Sequence, residues 1–472
     1  MSNDRITLKT PLALKPLAAC LAVALMAASA AGASDTNVRA LQQGAKSAHF
    51  ATRHPDAAMA AFVRAHPRAQ SRHVAIPTGG VTLPVLNCAD DSSAGSLRTV
   101  VAAAGDGDTV DLSALVCSSI TLTQGAISTA VPNLTLQGPT AAALTIDGGN
   151  AGRVLDHEGA GTFTVDHLTI RHGQFPGTAS PTLGGCIYTA GDIHLTNATV
   201  SDCSVGSGSI NGFGAGVGAY GGATLVNATI SNSAPSANGG ALAAINNAVS
   251  LESSTVSGNS GVRAAGIYSV YGPIAVNNST ISGNNATGLG GGIYSYGGNI
   301  TVSNSTISGN TAAAQGGGIA SYYALSLHNS TVAFNTASVG GGIYMFSVDG
   351  EAVSSIVSNN TSTTGANDFG GGPVAITGSN NVIMSSDNTT PGDTLTADPG
   401  LVALANNGGP TQTHALGSGS NAIDTGLNPD SLAFDQRGTG FVRTFGVATD
   451  IGAFEVQAVT SDVIFADGFD GP

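Results

Sequence analysis

Tryptophan is absent from the 472 residues, no lysine follows Lys46, and only 9% of residues are charged. Each shortage excludes something. A chain of formal charge −14 whose body carries only a few arginines lacks the basic face that nucleic-acid binding needs for counterion release. With 42% hydrophobic residues it is too apolar for a disordered tail. No C-terminal apolar anchor, LPxTG-type signal or barrel-length strand set is present, so no membrane segment is expected in the mature chain, nor a self-contained autotransporter. What abounds is glycine, 66 residues of it.

The first residues read as a targeting segment. Arg5, Lys9 and Lys15 precede the run "LAACLAVALMAASAAGA", which ends in small residues suited to cleavage after Ala33. Leu17 to Cys20 resembles a lipobox, but most of the apolar run follows it, so Cys20 is expected to leave with residues 1–33. Residues 34–80 are Ala-rich, carry Arg39, Lys46, Arg53, Arg64, Arg68 and Arg72, and show no strand pattern; they read as a linker or pro-segment. Four cysteines then remain, an even number in an exported chain.

From there the chain repeats. The apolar residue of a Thr-Ile-Ser phrase recurs at Val200, Ile230, Val256, Ile281, Ile307, Val332 and Val357, at spacings of 30, 26, 25, 26, 25 and 25. A second apolar marker, after glycines, runs in phase at Ile187, Val217, Leu242, Ile267, Ile293, Ile319 and Ile343. Two signals locked at one period define a solenoid. Runs such as "GNITVSNSTISGN" alternate, favour β-branched residues and break at Gly and Asn, so each period of about 25 residues is one coil of parallel strands. A lone coil buries four or five Val or Ile side chains at roughly 1.5 to 3 kcal/mol each. Ordering its backbone costs about 1 to 2 kcal/mol per residue, so stacking is obligatory.

The phrase ends on an asparagine. Asn259, Asn284, Asn310, Asn335 and Asn360 recur in phase, which predicts a structural ladder of stacked amides in preference to a ligand site. The many N-x-Ser/Thr triplets are repeat register, and predict glycans only in a host that modifies them.

"GGGIY" followed by "ISGN" resembles the repeats of right-handed parallel β-helix surface proteins, including polymorphic outer membrane protein (adhesin) repeats. "NCADDSSAGSLRTVV", "LTLQGPTAAALTIDGG" and the block from Asn406 to Glu455 are similar to bacterial exported β-helix proteins of the choice-of-anchor Q type. The resemblance implies an all-β, right-handed parallel β-helix, exported to the outer surface or medium of a Gram-negative bacterium. That resemblance covers about residues 85–456; the expected parts of the chain are a parallel β-helix with an N-terminal cap over residues 81–372, last coils and a C-terminal capping block over 373–456, and an acidic tail over 457–472. The cysteines fit that plan. Cys186 occupies a glycine position before Ile187 and Cys203 a ladder position, so Cys186 is paired with Cys203, and Cys88 with Cys117 across the N-terminal cap. The spacings do not suit a metal site.

Two chemistries are then in play. Many β-helices are polysaccharide lyases or hydrolases using carboxylates with calcium or as general acid and base. Between Arg171 and Asp349 only Asp192, Asp202, Glu252 and Arg263 are charged. The one candidate cluster is Asp147, Arg153, Asp156, His157, Glu158, Asp166, His167, Arg171 and His172, expected to converge on one side of two early coils if an active site exists. "DGDTVD" at Asp106 to Asp111 lacks the glycine and distant Glu of an EF-hand and reads as a turn. No cofactor is expected, calcium being the one ion left open.

The other signal is aromatic. All nine tyrosines lie between Tyr188 and Tyr344. Tyr188, Tyr268, Tyr294 and Tyr344 stand one residue after the marker, Tyr220, Tyr296 and Tyr322 three after it, with Phe346 beside them. Both offsets point away from the buried marker. An exposed aromatic stripe suits sugar rings or a protein partner; the alternative is a stack that only stabilises the solenoid. His414, Asp424, Asp435, Arg437, Arg443, Asp450 and Glu455 read as an ion-pair network closing the last coil, and "SDVIFADGFDGP" as a sorting tail. The leading expectation is a non-catalytic adhesin or glycan binder, its partner a polysaccharide or a host or neighbouring cell-surface component. A polysaccharide-active enzyme stands second and a structural spacer third.

Overall fold

The computed structural model describes residues 79–140, 144–176, 182–206, 212–235, 239–346 and 348–457. The proposed signal peptide, the linker except Gly79 and Gly80, and the tail except Gln457 lie outside them. The described chain is a parallel β-solenoid. Three long sheets run along it, of twelve, eleven and ten strands, every named strand pair being parallel.

One coil shows the plan. Ile293–Ser295 belongs to the ten-stranded sheet, here the tyrosine sheet; Ile300–Ser303 to the twelve-stranded one, the wide sheet; and Thr306–Ser308 to the eleven-stranded one, the Thr-Ile-Ser sheet. A short strand, Thr311–Ala312, leads to the next coil. The two sequence markers are register partners coil after coil, as in Ile267, Ile293, Ile319 and Ile343, or Ile281, Ile307 and Val332. Side chains alternate in and out along each strand, so Ile300 and Val302 are buried and Thr301 exposed.

The phrase N-S-T-I-S-G-N now has a job for each residue. Its first Asn takes positive φ at the corner between the wide and Thr-Ile-Ser sheets, as Asn278, Asn304 and Asn329 do at 49°, 51° and 43°. Asn tolerates that conformation because its amide bonds locally. The first Ser is buried as a link in an internal column: Ser305 Oγ accepts the Ser279 N–H at 3.1 Å and donates to the Ser303 carbonyl at 2.7 Å. Thr and the second Ser face out and Ile faces in. The following glycine turns the second corner at positive φ, 64° at Gly309, and brings the last Asn inside.

There the amides form a directional chain. Asn259 Nδ2 donates to Asn284 Oδ1, Asn284 to Asn310, Asn310 to Asn335, and Asn335 to Asn360, at 2.9 to 3.0 Å. Each Oδ1 also accepts the preceding asparagine's backbone N–H, and each Nδ2 donates a second bond to a carbonyl of the coil below, as Asn310 does to Ile281 O. The chain ends on the Asp368 carboxyl, which accepts from Asn360 through Oδ1 and from Ser385 through Oδ2. Desolvation raises that carboxyl above its ordinary range against these bonds.

The two disulfides, Cys88–Cys117 and Cys186–Cys203, join residues 29 and 17 positions apart. The first braces the N-terminal end, where the helix Leu97–Ala103, capped by Ser96 Oγ, buries Leu97 and Val101 on the first coil. At the other end Ser386, Thr389 and Leu395 bridge to Phe369, Ala375 and Val382, one bridge on each long sheet. That segment, and not the block after it, covers the last coil.

Candidate functional site

In the tyrosine sheet the residue after each marker is a register partner of its neighbours, so Tyr268, Tyr294, Ala320 and Tyr344 form one row. Parallel strands about 4.8 Å apart bring in-register rings into mutual contact. Phe213 stacks on Tyr268 with centroids 5.5 Å apart, and Tyr268 on Tyr294 at 5.4 Å. Tyr268 is 0% exposed and Tyr294 2%. Glycine segments close over them: a Cβ at Gly239 would stand 2.9 Å from the Phe213 ring. The exposed stripe expected of Tyr268 and Tyr294 is therefore corrected to a buried stack, in which desolvation holds the Tyr294 hydroxyl well above its ordinary value.

The rings three residues after the marker behave differently. They lie beyond the end of the three-residue strand, at the corner with the wide sheet, where Tyr322 also meets the buried Tyr294 edge-on at 6.2 Å. Tyr296 meets Tyr322 edge-on at 6.2 Å, Tyr322 stacks on Phe346 at 3.7 Å and 7°, and Tyr344 meets Phe346 edge-on at 4.7 Å. Tyr322 is nearly buried inside the row, Tyr296, Tyr344 and Phe346 are half-buried, and Tyr323 is exposed. Tyr323 was not singled out from sequence, because it follows no marker offset; its doubling with Tyr322 was the available signal.

A second, earlier patch holds Tyr188 and Tyr220, edge-on at 6.4 Å and both half-buried. Arg153 lies over Phe175 at 4.0 Å and over Tyr188 at 4.9 Å, pairs with Asp156 at 3.0 Å, and donates to the Leu183 and Gly184 carbonyls. Burial, with Glu158 adding to it, pushes the Tyr188 hydroxyl up to about 12. The guanidinium is thus occupied in holding the patch together.

The early charged residues do not converge as one set, although Arg171 and His172 meet Asp147 and Arg153 meets Asp156. Asp147 and Arg171 are register partners on the Thr-Ile-Ser sheet, Asp156 and His157 sit on the tyrosine sheet, and Asp166 ends a strand of the wide sheet. Their strands belong to three different sheets, so the convergence an active site would need is not formed, and the reading of turns around the buried Phe163, Val165, Leu168 and Ile170 stands instead. Burial alone would raise the Asp147 carboxyl, but bonds from Gly149 N–H, His172 and Arg171 outweigh it and keep the pKa below the ordinary value, unsuited to a general acid. His157 is a core residue: it is 0% exposed, stacks on Phe163 at 4.8 Å, and bonds Thr189 and the Val131 carbonyl. Among the described residues no three His, Cys, Asp or Glu side chains are grouped to share a metal ion.

Residues from about 398 to 457 lie along the outer face of the Thr-Ile-Ser sheet instead of closing its end. Thr280 donates to Gln412 O, Thr306 to Gln436 Oε1, Asn329 to Leu427 O, and Thr331 Oγ1 accepts the Ala453 N–H. The cover is visible strand by strand. The outward residues of Thr199–Ser201, Thr229–Ser231 and Thr255–Ser257 are half-exposed, whereas Thr280–Ser282, Thr306–Ser308, Thr331–Ala333 and Ile356–Ser358 are buried throughout. Ser308 Oγ and His414 Nε2 are 2.7 Å apart, with His414 Nδ1 on the Val402 carbonyl. That pairing suits a nucleophile, but both side chains are buried in this contact and serve to dock the block.

Inside the block one of the expected ion pairs forms, and Asp424, Asp450 and Glu455 accept backbone N–H groups. Arg437 pairs with Asp435 and lies between Phe441 and Phe454 at 3.9 and 3.8 Å. Arg443, 0% exposed, donates to the Asp450 and Gly452 carbonyls and is attracted by Glu455, Asp435 and Asp450. Desolvation pushes Glu455 up to about 7, with Asp450 adding and Arg443 opposing.

Three continuous parallel sheets and stacked internal ladders define a right-handed parallel β-helix repeat protein. A family model described as a right-handed beta helix region matches residues 154–337. No curated protein matches the sequence. Among solved structures, that of pectate lyase Pel9A is similar at a TM-score of 0.42 and 13% identity, over 81% of this chain and 98% of that one. No helix among the described residues is long and apolar enough to cross a membrane.

Proposed function

We propose that this chain is an exported, non-catalytic binding protein of the cell surface or medium, an adhesin or glycan binder that works through its half-buried aromatic corner. The observation that carries the reading is the row Tyr296, Tyr322 and Phe346, flanked by Tyr344 and the exposed Tyr323. Aromatic rings offer large contact area at low entropic cost, and the scaffold beneath them is rigid. Two disulfides fit an oxidising compartment, and the block from Asn406 to Glu455 supports kinship with choice-of-anchor Q exported proteins.

The test is co-sedimentation of the purified chain with insoluble polysaccharides, with chain length of the polysaccharide followed in the same samples. Retention without shortening is expected, and loss of retention in a Tyr296→Ala, Tyr323→Ala double variant. Shortening would overturn the non-catalytic reading, and unchanged retention in the variant would overturn the site.

A further inference from the structure

The row that forms the aromatic corner stops abruptly. Tyr296, Tyr322 and Phe346 occupy the same place on three successive coils, three residues past Ile293, Ile319 and Ile343. On the next coil the marker is Phe369 and that place is Gly372, whose N–H bonds the Met345 carbonyl at 3.1 Å. The place one residue past the marker, filled by Tyr344 below, is Gly370. Two glycines thus stand where the next two rings of the stack would be. No side chain continues the row on this coil, and the outermost ring of the stack is Phe346.

The charges around this step have one sign. Asp349 is exposed on the same coil and accepts the Ala375 N–H at 2.8 Å, and the Glu351 side chain is 51% exposed nearby on the wide sheet. His328, on the preceding coil, lies 2.9 Å from Asp430 and 3.8 Å from Glu351. Between Arg263 and Arg437 the sequence has no lysine or arginine. Arg263 stands on the coil of Tyr268, three strand spacings below that of Phe346, and its charge acts on Tyr294, two spacings below it. Arg437 is held by Asp435 within the block on the Thr-Ile-Ser sheet.

Resting on the binding reading above, we infer that the ligand is an uncharged polysaccharide, with one sugar ring seated on the step above Gly372 against Phe346. The C–H face of a sugar is weakly positive and matches the negative face of an aromatic ring. Asp349 and Glu351 accept hydrogen bonds from hydroxyls, which every neutral sugar supplies. Uronate or sulfated chains would bring anions to a corner with two carboxylates and no lysine or arginine, a juxtaposition that opposes binding.

The test is affinity electrophoresis of the full chain in gels containing dextran or galactomannan as uncharged probes, and polygalacturonate or alginate as acidic ones. Retardation by at least one uncharged probe and by neither acidic probe is expected, unchanged by salt. Phe346→Ala should weaken that retardation about tenfold. Phe346→Leu, which keeps apolar volume and removes the flat ring, should do the same with an unaltered circular dichroism spectrum. Retardation by the acidic probes alone, or equally by both kinds, would overturn the inference and leave the binding reading in place. Retardation by uncharged probes that survives both Phe346 variants would overturn the seat. No retardation by any probe would overturn the inference together with the glycan-binding reading beneath it.

Discussion

At the scale of single residues the molecule is held by polar groups that happen to be inside. Asn310 makes four side-chain hydrogen bonds at 0% exposure: Nδ2 to Ile281 O and Asn335 Oδ1, and Oδ1 from both nitrogens of Asn284. Removing the amide leaves buried donors on Asn284 without an acceptor, a loss of about 1 to 3 kcal/mol for each unsatisfied group. Asn310→Ala should therefore destabilise the chain by about 3 kcal/mol or more in denaturant unfolding, and an effect under about 1 kcal/mol would contradict the ladder as described. This ladder was legible in the sequence because its period is that of the coil. The serine column one strand earlier was equally periodic, at Ser279, Ser305 and Ser330, but small hydroxyls look the same facing solvent or core. The aromatic rows show the same limit: offsets of one and three residues both read as outward, yet in-register stacking buries Tyr268 and Tyr294 and leaves Tyr296 and Phe346 partly open.

Elements differ in how they are covered, and that governs which substitutions matter. Thr229 and Thr306 are the same residue of the same phrase, but Thr229 faces outward half-exposed while Thr306 donates to Gln436 Oε1 under the C-terminal block. Thr306→Val should cost about 1 to 2 kcal/mol and Thr229→Val less than about 0.5, measured side by side. The repeat alone cannot distinguish them, since the block's path along the sheet is set by contacts more than a hundred residues apart, such as Ser308 with His414.

The block also carries a pH dependence. Burial holds the folded Glu455 carboxyl at about 7 against the ordinary 4.5, so the native state holds its proton more tightly than the unfolded one. Its contribution to stability is full below pH 4.5 and is lost as pH rises toward and through 7. Wild type should therefore show a downward stability component across that window which Glu455→Gln lacks. A variant with the same slope as wild type would assign the titration elsewhere.

For the molecule as a whole, composition and period were enough to read the coil and its stacking, because a strand repeat of fixed length has few ways to bury its apolar residues. The disulfide at Cys186 and Cys203 followed from the same register, and it closes a loop whose sequence separation is 17. Reducing it should cost about 3 kcal/mol in the chain-entropy account, seen as a lower denaturant midpoint for Cys186→Ser, Cys203→Ser than for wild type. What the register could not show is which faces meet solvent, and function depends on that. The charged residues near Asp147 are close in sequence but are sent to three sides of the coil, whereas Tyr296 and Phe346 are fifty residues apart in sequence and share one corner with Tyr322 between them.

The most direct measurement is hydrogen–deuterium exchange of the full chain with and without an uncharged polysaccharide that retains it. Slower exchange is expected, confined to the corner segments 296–299, 322–324, 348–349 and 372–374 with Phe346, the early coils around Asp147 being unchanged. Protection centred on Asp147, Arg171 and His172, with the aromatic corner unaffected, would contradict that expectation.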